Sequence, residues 1–254
     1  MLITISPAKS LNFELKSLPT QPTIPAFTKE IAQLIQHLKK LKSADLEKLM
    51  GISPKLAELN FQRFQDFSDQ FNQQNSRPAL FFFDGDVYKA MDMQNYDAGD
   101  LEFAANHLRI LSGLYGILRA LDLMQPYRLE MGTDTKKIIG KNLPEFWQEK
   151  IANFLNEELK NHKEQTIINL ASGEYSAAIA EKKVQGKIIN IIFKEKKGDK
   201  YKTIGILAKK ARGLMADWII KNKIEKSEDV KKFAVQDYKF QPQLSDDNNW
   251  HFYR

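Results

Sequence analysis

The chain has 254 residues, 43% of them hydrophobic, enough to bury one substantial core. It contains no cysteine, which excludes disulfides, thiolate zinc sites, iron–sulfur clusters and a cysteine nucleophile, and its four histidines lack the i, i+4 spacing of a helical zinc site. The net charge of +6 points weakly to a polyanionic partner, and it is concentrated: Lys194 to Lys232 holds thirteen Lys and Arg against six Asp and Glu.

Met1 to Ser6 has no basic leader, and its apolar run is too short for a signal peptide or a membrane span, so a cytoplasmic protein without membrane association is expected. Leu2 to Ser6 reads as a buried strand stopped by Pro7, delivering Ser6, Ala8 and Lys9 to its carboxyl end, where open α/β sheets place ligands. Pro19, Pro22 and Pro25 make Phe13 to Phe27 an extended loop. Ile31, Leu34, Ile35, Leu38 and Leu41 then form the apolar stripe of a helix.

Further strands are predicted at Ala79 to Phe83, ending in Asp84-Gly85-Asp86-Val87-Tyr88, and at Ile167 to Ala171, followed by Ser172-Gly173-Glu174-Tyr175. Lys187 to Phe193 and Thr203 to Leu207 flank the turn-like Lys196-Lys197-Gly198-Asp199 as an antiparallel hairpin, and Trp250 to Tyr253 forms a last strand. Helices are predicted near Phe103 to Leu111, Leu143 to Leu159 and Lys209 to Lys221. The fold class is therefore α/β: one domain over 1–254 with a mixed sheet flanked by helices and a helical insertion at 43–64.

Three apolar runs end in small or polar turns, and as neighbours in one sheet they would assemble a cleft. Lys9, Asp86, Ser172, Glu174 and Tyr175 are its candidate catalytic residues, a mixture suited to an anionic or nucleotide-like ligand. Asp-Gly and Ser-Gly are also ordinary turn chemistry. Between His107 and Gly132, Arg109, Arg119 and Arg128 stand among apolar residues, so each needs a carboxylate, a carbonyl or a bound phosphate. Asp122 and Glu130 are the internal candidates, and a purely structural network is the competing explanation.

Ser43 to Phe64 carries full helix punctuation. Ser43 can cap a first helix with Asp45 favourable to its dipole, Gly51 can end it in the left-handed conformation, and Ser53-Pro54 can open a second. Leu46, Leu49 and Met50 would pack against Leu56, Leu59 and Phe64. This resembles a helix-hairpin-helix element with Ser53 in place of the second glycine, in which Gly51, Ser53 and Lys55 would hold DNA phosphate without reading base sequence. Lys209, Lys210 and Arg212 cluster at a helix start, unfavourably for the dipole unless an anion lies there. The lysine-rich turn at Lys194 to Lys202 reads as a solvated hairpin tip.

Ser6-Pro7-Ala8-Lys9, Gly85-Asp86-Val87-Tyr88, Arg109 through Gly132, Asn169-Leu170-Ala171-Ser172 with Glu174-Tyr175, and Ala208-Lys209-Lys210-Ala211-Arg212-Gly213 together resemble the YaaA family of bacterial peroxide stress proteins in order and spacing. Ala120 stands where that pattern would have proline. The resemblance implies a cytosolic protein of the hydrogen peroxide response that limits oxidative DNA damage and lowers free intracellular iron. It also implies an α/β fold with a helix-hairpin-helix and a positively charged cleft suited to double-stranded DNA, and supplies no catalytic mechanism.

The leading expectation is therefore a DNA-binding stress protein using phosphate contacts, with no metal or cofactor of its own. The alternative is an enzyme acting on a nucleotide or nucleobase in the strand-end cleft. Direct iron sequestration ranks below both, because the acidic residues show no Glu-x-x-His pair of the ferritin type.

Overall fold

The computed structural model describes residues 1–14 and 21–254. Its strands are β1 (Leu2–Ile5), β2 (Arg77–Pro78), β3 (Leu108–Ser112), β4 (Gly116–Arg119), β5 (Leu123–Met124), β6 (Thr166–Asn169), β7 (Lys187–Lys197), β8 (Lys200–Lys202), β9 (Lys239–Phe240) and β10 (Asn249–Tyr253). The helices are α1 (Thr28–Leu38), α2 (Ser43–Met50), α3 (Pro54–Asp66), α4 (Ala79–Phe82), α5 (Asp86–Lys89) and α6 (Ala98–His107). They continue with α7 (Lys136–Ile139), α8 (Leu143–Leu159), α9 (Gly173–Ser176), α10 (Gly205–Lys221) and α11 (Ser227–Val230).

Eight strands form one mixed sheet in the order β4-β3-β1-β6-β7-β10-β9, with β8 added to β7, while β2 and β5 pair separately. β3, β1, β6, β7 and β10 run parallel, with Ile3 opposite Leu108 and Ile168, and Ile191 opposite Trp250. β1, β3 and β6 are buried at every position, as expected of parallel strands covered on both faces. Each fully buried Leu or Ile in them contributes about 1.5–3 kcal/mol of transfer free energy. β7 alternates instead, burying Ile189, Ile191 and Phe193, because its other face is less covered.

Because β1, β6 and β7 share one direction, their carboxyl ends share one edge of the sheet. The segments after β1 and β6 and the β7–β8 hairpin all emerge there. The hairpin turns at Gly198-Asp199, with Gly198 at φ 62°.

Several elements differ from their sequence assignment. Ala79 to Phe83 is not a sheet strand. α4 is a single helical turn, and the Ala79 and Leu80 amides donate to the carbonyls of Asp122 and Ala120 at 2.9 Å each. A short apolar run between Pro78 and Asp84 is buried equally well by either conformation, so periodicity does not separate them. Leu108 to Leu111, expected as the end of a helix from Phe103 to Leu111, belongs instead to β3, because α6 stops at His107 and every β3 side chain is buried. The strand assigned to Thr203 to Leu207 is β8, three residues earlier, and α10 starts at Gly205. Pro22 and Pro25 lie in irregular chain as expected, anchored by Thr23 bridging to Asp122; Pro19 lies outside the described residues.

α2 and α3 pack together as a helical hairpin. Gly51 caps α2 at φ 59° and ψ 43°, and Ser53 Oγ accepts the Leu56 amide, with Pro54 opening α3. The first cap differs: Lys42 rather than Ser43 precedes α2, and Asp45 accepts the Lys42 amide at 3.0 Å. Leu46 and Phe64 are buried in the pair, but Leu56 and Leu59 face solvent, 38% and 45% exposed, so they do not pack it together.

Candidate functional site

Three chain segments converge at the carboxyl edge of the sheet. Ser6 to Ser10 leave β1, Asp84 to Tyr88 leave α4, and Ser172 to Tyr175 leave β6; they line one cleft of about 250 Å³ with Glu130, Lys209 and Arg212. Local hydrogen bonds fix their positions. Ser6 Oγ accepts the Ser172 amide at 2.9 Å, and the Tyr88 hydroxyl donates to the Ser6 carbonyl at 3.0 Å. The Asp84 amide donates to the Ser10 carbonyl and the Asn12 amide to the Phe82 carbonyl, so the first two segments lie side by side. Gly85 belongs there for space, since a Cβ would stand 2.8 Å from the Ala8 Cβ.

All five candidate catalytic residues, Lys9, Asp86, Ser172, Glu174 and Tyr175, line this cleft, and Lys209 and Arg212 join them from α10. Its acids are largely engaged. Glu130 pairs with Lys9 at 2.7 Å and Arg128 at 2.8 Å, Asp84 faces Lys89 at 3.4 Å, and Glu174 accepts the Gly132 amide at 3.0 Å. Burial pushes the Tyr88 phenol up, and burial with the neighbouring Tyr127 and Glu174 does the same to Tyr175. Both therefore remain neutral hydroxyls near pH 7.

Arg212 differs from these engaged groups. Burial lowers its pKa and no opposing acid restores it; the Nε of Arg109 and Arg128 is unpartnered too, but their terminal nitrogens are bonded, whereas Arg212 makes no side-chain hydrogen bond or ion pair among the described residues. Guanidinium keeps its proton regardless, so a positive charge with reduced hydration lines the cleft wall. Lys209 precedes it by three residues, on the same side of α10. Since α10 begins at Gly205, neither cation lies in the first turn, and the sequence argument from the helix dipole does not apply to them. Lys210 is exposed and does not line the cleft.

The other predicted residues lie elsewhere. Gly51, Ser53 and Lys55 are exposed at the α2–α3 hairpin. Arg109 is 2% exposed; it pairs with Glu158 and donates to the carbonyls of Ala105, Leu108 and Asn106. Arg119 pairs with the same Glu158 at 2.7 Å. Glu158 and Arg109 also line a second cavity, with Met1, His107 and His162, so these two arginines are held by protein acceptors away from the strand-end cleft. Arg128 sits in a recess beside the cleft with Lys9, Glu130 and Tyr175.

Glu158 escaped sequence reading because it is one acid on a long amphipathic helix, thirty-nine residues beyond Arg119. A polar row across four strands was also missed. Thr4 Oγ1 donates to Asn169 Oδ1 at 3.0 Å, Asn169 Nδ2 to Asn190 Oδ1 at 2.8 Å, and Asn190 Nδ2 to Asn249 Oδ1 at 3.4 Å. Asn169 Oδ1 also accepts the Ala171 amide, which steers the chain toward Ser172.

On α3, the Arg63 guanidinium lies 5.8 Å from the Phe13 ring centre. Burial and the nearby Arg128 charge both lower the Arg63 pKa, so cationic groups of α3 and of the cleft rim are close enough to repel one another.

Fold and site thus define a cysteine-free mixed α/β protein with a polar, partly cationic cleft at its strand ends. The model of the peroxide stress protein YaaA family matches residues 1–244, and the chain belongs to that family. A UPF0246 protein of Acaryochloris marina is 47% identical over 254 residues, covering 100% of both chains. UPF0246 proteins of Francisella philomiragia and Francisella tularensis subsp. novicida are 51% and 50% identical over 249 residues, covering 98% of each chain. Membership places the protein in the response to peroxide. Among the described residues, no helix is long and apolar enough to cross a membrane.

Proposed function

We propose that this is a cytoplasmic DNA-binding protein of the hydrogen peroxide response, acting to limit DNA damage and, as the family resemblance implies, to lower free intracellular iron. The carrying observation is the openness of the α2–α3 hairpin. A Cβ built on Gly51 would meet nothing within 4 Å, and Gly51, Ser53 and Lys55 all face solvent. Pro54 has no amide proton and Ser53 Oγ takes the Leu56 amide, which leaves the Lys55 amide as a first-turn donor beside the Lys55 ammonium. Amide and ammonium together suit one backbone phosphate and carry no sequence information.

Titration of the isotopically labelled protein with a short duplex tests this. Amide signals of Gly51 to Lys55 should move first and furthest. Undisturbed hairpin signals in a duplex-saturated sample would remove the hairpin from the interface.

A second reading, an enzyme acting on a nucleotide or nucleobase, is favoured by the convergence of Lys9, Asp86, Ser172, Glu174 and Tyr175 on one cleft. Its test is turnover of nucleotides by the native protein against alanine variants of Asp86 and Glu174.

A further inference from the structure

We propose that Arg212 and Lys209 form an anion-binding corner of the strand-end cleft, and that its ligand is a phosphate monoester: the phosphate of a single nucleotide, free or at the end of a strand. This goes beyond the hairpin reading, which concerns internal phosphates on an outer surface, and names a ligand class for the cleft whether or not chemistry follows.

Few charges in the cleft remain after internal pairing. Glu130 is taken by Lys9 and Arg128, Asp84 by Lys89, and Glu174 by the Gly132 amide. Among the described residues this leaves Arg212 and Lys209 facing the cleft, with Asp86 as an acid that forms no ion pair. A buried guanidinium nitrogen without an acceptor is costly, and native structures offset that cost with a partner or a bound anion.

Two cations three residues apart on one helix suit a dianion better than a monoanion. A phosphate monoester carries about −1.5 to −2 charge near pH 7 and three acceptor oxygens, and guanidinium holds such oxygens bidentately. The volume narrows the choice. About 250 Å³ matches a single nucleotide, free or at the terminus of a strand. With phosphate in the Arg212 corner, Asp86 is left to accept hydrogen bonds from sugar hydroxyls or a base amino group.

Calorimetric titration of the full chain tests the inference. The ligands are a deoxynucleoside 5′-monophosphate, its parent deoxynucleoside, and a short duplex with either 5′-phosphate or 5′-hydroxyl ends. The monophosphate, or the phosphorylated end over the hydroxyl end, should bind at least about tenfold more tightly than its unphosphorylated counterpart, as expected for a charge-assisted contact. Arg212→Gln should erase that preference. Lys209→Gln should reduce it severalfold, and because Lys209 is exposed this variant keeps the test open if Arg212→Gln fails to fold. Lys187→Gln, at an exposed lysine at the amino end of β7 on the opposite edge of the sheet, should leave it unchanged, which separates this site from a general loss of charge. A preference for the free nucleotide identifies a small-molecule ligand, and one for the phosphorylated duplex identifies a strand end; either supports the inference. Equal binding of phosphorylated and unphosphorylated ligands, or an undiminished preference in Lys209→Gln and in a folded Arg212→Gln, would overturn it.

Discussion

Replacing Glu158 with Gln removes the charge shared by Arg109 and Arg119. The Arg109 side chain is 2% exposed, and without the carboxylate it keeps the carbonyls of Ala105, Leu108 and Asn106 as acceptors and only Asp122, to which it is not bonded, as a counter-charge. Breaking one partner of a buried pair costs about 3–5 kcal/mol. Glu158 retains some contact with water and Gln still accepts a hydrogen bond, so the lower end applies, about 3 kcal/mol. In a chain of this length about 1 kcal/mol moves Tm by 2–4 °C, giving a fall of roughly 6–12 °C at pH 7. Burial alone would raise the Glu158 carboxyl, but the Arg109 and Arg119 guanidiniums outweigh it and hold the pKa below 4.5. A depressed acid contributes its full stabilisation above the unfolded value and loses it as pH falls through the folded one. Thermal melts followed by circular dichroism should therefore show the gap between native and variant proteins closing below about pH 4.5. A variant within 1 °C of the native protein at pH 7, or a gap that widens in acid, would refute the reasoning.

Gly213→Ala places a Cβ 2.0 Å from the Val87 carbonyl oxygen and 2.9 Å from its carbon, both backbone atoms that cannot rotate away. α10 must then move off α5, costing about 1–3 kcal/mol and shifting Arg212 in the cleft wall, so a melt and a nucleotide titration should both fall. Gly51→Ala has room for its methyl but forces an L-residue to φ 59°, so it should cost about 1 kcal/mol in a denaturant melt and weaken duplex binding. The His162 ring, lowered by burial and by the nearby α-amino group, should titrate in carbon–proton NMR spectra at about 4. A depressed histidine favours the fold above its unfolded value near 6.5 and loses that contribution as pH falls toward 4, so His162→Gln should flatten the stability profile across that window.

The sequence disclosed the cleft better than it disclosed the elements that build it. Ser6 to Lys9, Asp84 to Tyr88 and Ser172 to Tyr175 converge as the strand-end argument required, although Ala79 to Phe83 proved to be a helical turn rather than a strand. Polar residues after an apolar run mark where the chain leaves the core, and that signal survives an error about the run's conformation. Helical boundaries were legible where caps are explicit: Leu143–Leu159 and the Gly51-Ile52-Ser53-Pro54 junction match. Leu108–Ser112 was not legible as β3, because a strand buried on both faces has no alternation to report. Glu158 and the Thr4–Asn169–Asn190–Asn249 row depend on pairings between distant segments, which local patterns do not encode.

DNA binding by the hairpin is tested most directly by fluorescence anisotropy of a labelled duplex with the native protein and Lys55→Gln, each titrated at several salt concentrations. The native protein should lose affinity steeply as salt rises, and the variant should bind more weakly, with a log–log salt slope shallower by about one unit. Affinity independent of salt, or identical slopes for the two proteins, would contradict phosphate docking at Gly51 to Lys55.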